Sequence, residues 1–409
     1  MSIWIYNVAS RLVPHNDVFV YSFRGLHQEK VEIFRGIHCR RISTTFDSWL
    51  AFIVYALINR IPGLEKALRK RPYFASIFYN FTSILKVAKE LQTIKCDIVH
   101  IIEETEHIST IRALNPKIRI VLHMQCEHLT QLDHNMIEHR LRKADLILGC
   151  SRYITNKIRQ SFPSLARNCQ TLYNGVDLAT YVNDPKNDQK KSELKQLLFV
   201  SRVTPEKGLH VLIEAFKEVV EKIPCVHLEI VGPVNELWTL GNAIWLSDDK
   251  KVQELASFHT KGSSNPYFDY LTQNLDSLNI SNKVTFHGKI PHDQTIKLYQ
   301  ASDILIQPSV FHEPFGMAII EAMACQIPVI GTKVGGIPEI IENGKTGLLI
   351  ESGDVSALTK ALLELLSNED LRMKMGKIGR ERAESFSWDT IVTNLLSLYK
   401  DMIERSRRQ

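Results

Sequence analysis

The sequence predicts an α/β protein built from two doubly wound domains. Short apolar runs suited to strands buried on both faces alternate with helix-like segments in both halves of the chain. At 409 residues the chain also exceeds what one ordinary hydrophobic core organises. Between the halves lies a polar run, Asn183-Asp184-Pro185-Lys186-Asn187-Asp188-Gln189-Lys190-Lys191, which has no apolar surface to bury and reads as the linker. The domains are therefore placed at residues 1–185 and 192–388.

The first half opens with Ile5, Val8, Ala9 and Leu12 at helical spacing, so a helix from Ser2 to Leu12 precedes any strand. A doubly wound domain ordinarily begins with a strand that lies centrally in its sheet, and lacking it leaves neighbouring strand edges without a partner. The strands expected next are Val18–Tyr21, Ile98–Ile101, Ile118–Leu122 and Leu146–Leu148. The longest apolar run of the chain, Trp49–Ile58, is followed by a basic tract with Arg60, Lys66, Arg69, Lys70 and Arg71, opposed only by Glu65. Residues 49–74 therefore carry two readings: an interfacial helix beside anionic lipid, or a buried domain helix followed by a solvated charged turn.

In the second half Leu197–Val200 reads as a strand, followed by a turn from Ser201 to Gly208. A helix from Leu209 to Lys222 follows, with Leu212, Ala215, Phe216 and Val219 on one face. Further strands are expected at 227–232, 284–286, 304–306, 328–330 and 347–350. Residues 233–281 interrupt the alternation with Trp238, Trp245 and Gly262-Ser263-Ser264, a long insertion that is either a lid or a surface excursion. A helix near Tyr267–Leu278 ends it, and Phe386-Ser387-Trp388 precedes a last helix, Asp389–Ile403.

Composition excludes several classes. A hydrophobic fraction of 44% with 23% charged residues is that of a globular protein, and a net charge of +5 over this length does not mark a dedicated nucleic-acid binder. Cys39, Cys96, Cys126, Cys150, Cys169, Cys225 and Cys325 are scattered without metal-ligand spacing and read as reduced thiols of a cytoplasmic protein. No secretory signal is recognisable, and no apolar run reaches the roughly 18 residues of a membrane span.

The segment most informative about chemistry runs from Phe311 to Ala324 and contains Glu313, Pro314, Phe315, Gly316, Met317 and Glu321. Proline at 314 favours a helix start, which turns the peptide N–H groups of about Phe315 to Ala318 outward as an anion site suited to a diphosphate. Glu321 falls about two turns after Glu313. A carboxylate in an otherwise apolar helix costs energy unless paired, which points to hydroxyls such as those of a ribose; a capping or salt-bridged glutamate is the alternative. No Asp-x-Asp pair occurs in the chain, so transfer is expected to be independent of metal, and no Gly-x-Gly-x-x-Gly follows a strand, which argues against a dinucleotide-dependent oxidoreductase.

Four ordered motifs carry a resemblance: Ser201-Arg202 with Glu206-Lys207-Gly208, the Glu313–Glu321 segment, Gly335-Gly336-Ile337-Pro338-Glu339, and Gly344-Lys345-Thr346-Gly347. The stretch from about Leu197 to Leu365 resembles the nucleotide-sugar-binding domain of the family 4 retaining glycosyltransferases. The resemblance implies the GT-B fold, two Rossmann-like domains facing each other across a cleft, with the last helix, 389–409, completing the first of them.

It implies an enzyme that transfers a hexosyl-type sugar from a nucleotide-diphosphate-sugar to an acceptor with retention of configuration. Arg202 and Lys207 are then set on the donor diphosphate with the backbone amides of Phe315, Gly316 and Met317. Glu313 is set near the transferred sugar and Glu321 on the ribose. His123, after the strand Ile120-Val121-Leu122, matches a position near the sugar, and Asn174-Gly175-Val176-Asp177 matches a turn before the linker. No metal or other cofactor is implied, and the partners are the donor and an acceptor of unstated class.

The same resemblance shows the first helix, Ser2–Leu12, without the strand and Gly-Gly turn that usually precede it. This reads as a misassigned start or a truncated form. A nucleotide-sugar epimerase or hydrolase of the same fold, or a protein that binds the nucleotide-sugar without transferring it, are the other readings of these residues.

Overall fold

The computed structural model describes residues 3–25, 28–58, 60, 70–76, 78–181, 193–234, 254–258 and 265–407. The expected linker, most of the insertion with Trp238, Trp245 and Gly262–Ser264, and Glu65, Lys66 and Arg69 of the basic tract lie outside the described residues. The chain forms two compact units, Met1–Asn174 with Trp388–Gln409, and Gly175–Ser387.

The first unit begins with helix α1 (Ile3–Leu12), followed by strands β1 (Phe19–Phe23), β2 (Val31–Phe34) and β3 (Ile37–Ile42). Helices α2 (Thr45–Ile58) and α3 (Phe81–Thr93) lead to an alternation of β4 (Ile98–Ile102), α4 (His107–Leu114), β5 (Arg119–Met124), α5 (His134–Leu141), β6 (Leu146–Gly149), α6 (Arg152–Ser161) and β7 (Cys169–Thr171). Strands β4-β5-β6-β7 form one parallel sheet and β1-β3-β2 a separate one, so β1 and β4 each stand at the end of a sheet.

Strands β2 and β3 were not legible in the sequence. They form an antiparallel hairpin across Arg35-Gly36, whose φ angles of 52° and 81° suit the mirror-image turn that two-residue hairpins require. The side chains of Val31, Ile33 and Phe34 are exposed, so β2 lacks the buried apolar run that betrays a central strand. Strand β7 has only three residues, too few for a periodic signal.

The second unit alternates β8 (Lys195–Val200), α7 (Leu209–Lys222), β9 (Val226–Val231), α8 (Pro266–Ser277), β10 (Val284–Gly288), α9 (His292–Ala301), β11 (Ile304–Gln307), α10 (Met317–Ala324), β12 (Val329–Thr332), α11 (Ile337–Ile340) and β13 (Gly347–Ile350). Helices α12 (Val355–Ser367) and α13 (Glu369–Glu384) close it. Its six strands are all parallel in the order β10-β9-β8-β11-β12-β13. Residues of β11 and β12 are buried throughout, because helices cover both faces of the sheet. Leu197 and Phe199 of β8, Leu212 and Phe216 of α7 and Leu358 and Leu362 of α12 share one core.

The last helix, α14 (Trp388–Arg407), belongs to the first unit. Trp388, Ile391, Val392 and Leu395 pack with Val8 of α1 and with Val121 and Leu148 of the parallel sheet, and Arg11 Nε meets Asp389 at 2.6 Å. All seven cysteines are free.

Candidate functional site

The strand order of the second unit reverses between β8 and β11, the first strand of the alternation and the fourth. Ligands of open parallel sheets bind beyond the carboxyl ends of strands at such a switch point, where the two flanking loops part to opposite faces. The loop leaving β8 carries Arg202 and Lys207, and the loop leaving β11 carries Glu313.

These loops are held together backbone to backbone. The carbonyl of Glu206 accepts the N–H of Val310 at 3.0 Å, and a Cβ at Gly208 (φ 74°) would stand 1.9 Å from the carbonyl oxygen of Pro308. From the other side, Gly336 N–H donates to the Glu313 carbonyl at 2.7 Å, and a Cβ at Gly335 (φ 55°) would meet that same oxygen at 2.0 Å. Any side chain at either glycine would force the loops apart.

The side chains are ordered on this frame. Lys207 Nζ meets Glu313 Oε2 at 2.5 Å, with only 13% of either side chain exposed. Arg202 Nη2 lies 3.5 Å from Glu206 Oε1, which also accepts Thr204 Oγ1 at 2.7 Å. Two cations and two carboxylates thus share one pair of loops, an arrangement that holds each cation in place.

The helix start differs from the expected one. Helix α10 begins at Met317, with Gly316 in a left-handed conformation as its N-cap, so Pro314 belongs to the loop and not to the first turn. The Phe315 side chain is buried against Phe386, ring centroids 5.9 Å apart, and anchors the loop. Ile319 N–H already bonds to the Gly316 carbonyl at 3.1 Å, which leaves the N–H groups of Met317 and Ala318 ahead of the helical ladder. The positive end of α10 is therefore narrower than the sequence suggested.

Glu321 sits in α10 among Ile319, Ile320, Ala322 and Met323, all buried. Its Oε2 accepts the Tyr299 hydroxyl at 2.8 Å, from a tyrosine with no exposure on α9. Burial pushes the Glu321 carboxyl above its usual range, opposed by Tyr299, His292 and Tyr181. Burial also raises the hydroxyls of Tyr299 and Tyr181, so both stay protonated donors. These tyrosines were missed in the sequence, where nothing but the helical spacing of α9 distinguishes Tyr299. The Glu342–Thr346 turn is structural: Thr346 is buried and its hydroxyl accepts the Glu342 N–H at 2.9 Å.

His123, expected near the sugar, lies in the first unit. It is wholly buried in β5 within the first unit, its ring 5.0 Å from that of Trp4 and 5.4 Å from His100. Burial and neighbouring His100 hold it well below the ordinary histidine range, and His100 is itself pushed down to about 3 by burial. The ring is packed, with no accessible surface. Its Nε2 lies 3.2 Å from Nε2 of Gln125, whose Oε1 accepts Asn174 Nδ2 at 2.8 Å, so His123 helps to fix the polar chain after β5.

Comparison with known proteins identifies the family and the fold. Residues 182–382 match the family described as glycosyl transferases group 1, and residues 1–180 match glycosyltransferase family 4. The chain is 28% identical to spore coat protein SA of Bacillus subtilis over 77% of its own length and 81% of that protein's. It is 27% identical to N-acetyl-alpha-D-glucosaminyl L-malate synthase of Bacillus anthracis over 80% of each. Among solved structures, sucrose-phosphate synthase of Thermosynechococcus elongatus superposes with a TM-score of 0.71 at 19% identity, covering 98% of this chain and 92% of that one. Anabaena HepE in complex with UDP gives 0.71 at 18% identity, covering 98% and 96%.

Proposed function

Because this chain belongs to the family 4 glycosyltransferases of GT-B fold, its two matches together spanning residues 1–180 and 182–382, we propose that the β8–β11 switch point grips the pyrophosphate of a nucleoside diphosphate-hexose. The observation that carries this reading is the Lys207–Glu313 pair, held by glycine contacts beside the start of α10. Arg202 and Lys207 neutralise the diphosphate as it leaves, and the backbone amides of Phe315, Gly316 and Met317 line the helix end. Glu321, oriented by Tyr299, takes the ribose hydroxyls. Glu313 sets Lys207 and borders the transferred sugar.

The acceptor attacks from the face that the nucleotide leaves, so configuration is retained and the departing phosphate is near enough to take the acceptor proton. The protein then supplies position and charge rather than a separate base. His123, whose Nε2 lies against the Gln125 amide, is assigned with Glu313 to the surroundings of the sugar. Uridine is the first base to test, since HepE is described with UDP, with UDP and glucose, and with UDP-glucose.

Two side-chain cations and a helix end provide the positive charge that a divalent ion supplies elsewhere, and we assign no metal to the diphosphate. Calorimetric titration with UDP-hexoses is expected to give the same donor affinity in EDTA as in magnesium or manganese. Donor binding that vanished on chelation and returned with magnesium would overturn the assignment.

No helix among the described residues is long and apolar enough to cross a membrane. We further propose that the protein touches an anionic membrane surface through α2 and the basic residues after it. Asp47, buried, accepts hydrogen bonds from the N–H and hydroxyl groups of Thr82 and Ser83, which fastens α2 to the start of α3. That leaves Phe46, Trp49 and Leu57 exposed on α2, with Phe78 exposed nearby in sequence, and Arg60, Lys70 and Arg71 exposed beyond the helix. Apolar side chains with flanking cations are the pattern of interfacial binding. Flotation with anionic liposomes is expected to carry the protein upward. Neutral liposomes, or charge reversal at Lys70 and Arg71, should abolish it; flotation independent of lipid charge would count against the proposal.

A further inference from the structure

The carboxyl ends of β4 and β5 hold a second constellation, in the first unit, that the transfer chemistry does not use. Glu103 directly follows β4, and Cys126 and His128 lie on the loop that follows β5. Cys126 Sγ is 3.0 Å from Glu103 Oε2 and 2.9 Å from His128 Nδ1, and His128 Nδ1 is 3.0 Å from the same Glu103 oxygen. Three donor atoms of different chemistry form a nearly equilateral triangle.

We infer that this triangle is a three-ligand site for Zn²⁺ or a similar late divalent metal, with a fourth position open to water or another oxygen donor. A thiolate, an imidazole and a carboxylate are the ligand set that zinc accepts, and three protein ligands with one vacant position is its reactive form. Tetrahedral zinc at ordinary bond lengths separates such ligand atoms by about 3.3 to 3.6 Å, so the triangle need open only by about half an ångström.

A hydrogen-bonded relay would be built differently. In a Cys-His-Glu relay the imidazole uses one nitrogen toward sulfur and the other toward the carboxylate. Here both contacts fall on Nδ1, and a single N–H or lone pair points in only one direction. Three ligand atoms, each 2.9 to 3.0 Å from the other two, are placed as a shared cation needs them.

The surrounding backbone sets the carboxylate. Gln125 N–H donates to Glu103 Oε1, which leaves Oε2 turned toward sulfur and imidazole, the outer support that metal sites typically show. Glu103 itself has a φ of 70°, a left-handed conformation that places its side chain back over the end of β5. About a quarter of the Glu103 and His128 side chains is exposed, so an ion and its fourth ligand have access. Arg202, Lys207 and the helix end that we assign to the diphosphate belong to the other unit.

Metal-free full-length protein titrated with Zn²⁺ by calorimetry is expected to bind one equivalent tightly, and Co²⁺ should produce a sulfur-to-cobalt charge-transfer band. Cys126→Ser should remove that band, and His128→Asn or Glu103→Gln should weaken Zn²⁺ binding at least about 10-fold. Circular dichroism and melting temperature of each variant without metal establish that it is folded. The cobalt spectrum of the unaltered protein needs no variant at all. Absence of a sulfur band there, or zinc binding unchanged in a folded protein carrying Cys126→Ser, His128→Asn and Glu103→Gln together, would reduce the cluster to a hydrogen-bonded triangle and overturn the inference.

Discussion

Replacing Lys207 with alanine is expected to lower kcat for sugar transfer about 100- to 1000-fold, the range seen when one electrostatic contact to a developing negative charge is removed. Charge accumulates on the diphosphate as the sugar departs, so a contact made there strengthens in the transition state and its loss falls on kcat more than on KM. The substitution also leaves Glu313 without the cation that stands 2.5 Å from it. A local disturbance of that kind is separated from the catalytic loss by Glu313→Ala, which is expected to abolish transfer while leaving Lys207 intact. It is separated further by the double variant, which removes both charges and should melt near the unaltered protein yet remain inactive. Steady-state kinetics with circular dichroism checks all three. Near-normal turnover in the folded Lys207→Ala protein removes this lysine from the mechanism.

Glu321→Gln should weaken donor binding by about 1.5 to 3 kcal/mol, the worth of hydrogen bonds to a charged group, or roughly 10- to 150-fold in Kd. The same substitution should not lower the melting temperature at neutral pH. Burial raises the Glu321 carboxyl pKa in the folded protein. Its contribution to stability is therefore fully present below the unfolded pKa, where the group is protonated in both states, and is lost as pH rises through the folded value. Above the folded pKa the ionised form is carried at a cost to stability, and removing the charge removes that cost. Donor affinity runs the opposite way. It should decline as pH falls through the raised pKa of Glu321, at a higher pH than an ordinary carboxylate would produce, and the glutamine variant should be flat across that interval. Calorimetric titration across pH, paired with thermal melting, measures both signs. A variant that binds donor like the unaltered protein but melts lower would make Glu321 a structural residue.

Much of the second unit was legible because its strands are buried on both faces. Runs such as Ile304–Gln307 and Val329–Thr332 have almost no polar positions, and only a parallel sheet covered by helices accommodates that. The exposed hairpin strand Val31–Phe34 offered no such run, and neither did Cys169–Thr171. Glu321 could be singled out because a carboxylate inside an apolar helix needs a reason to be there, whereas Arg202, Lys207 and Glu313 were picked out by the family resemblance of the motifs that contain them. Tyr299 could not, since a buried tyrosine on a helix looks like any other core residue until its hydroxyl is seen to reach a carboxylate.

His123 marks where that kind of reading stops. A histidine one residue after an apolar strand core is the same string of letters whether its ring faces solvent or Trp4, and the choice depends on which helix covers that face of the sheet. By itself the sequence determined the alternation of strands and helices, through local periodicity, and the family, through four ordered motifs that also contain the charged residues to which we assign the diphosphate. Only the tertiary structure decided that helix α10 starts at Met317, that glycine contacts press the β8 and β11 loops together, and that Glu103, Cys126 and His128 converge. Those facts rest on which distant backbones come within van der Waals reach, and chain-local patterns do not encode such distances.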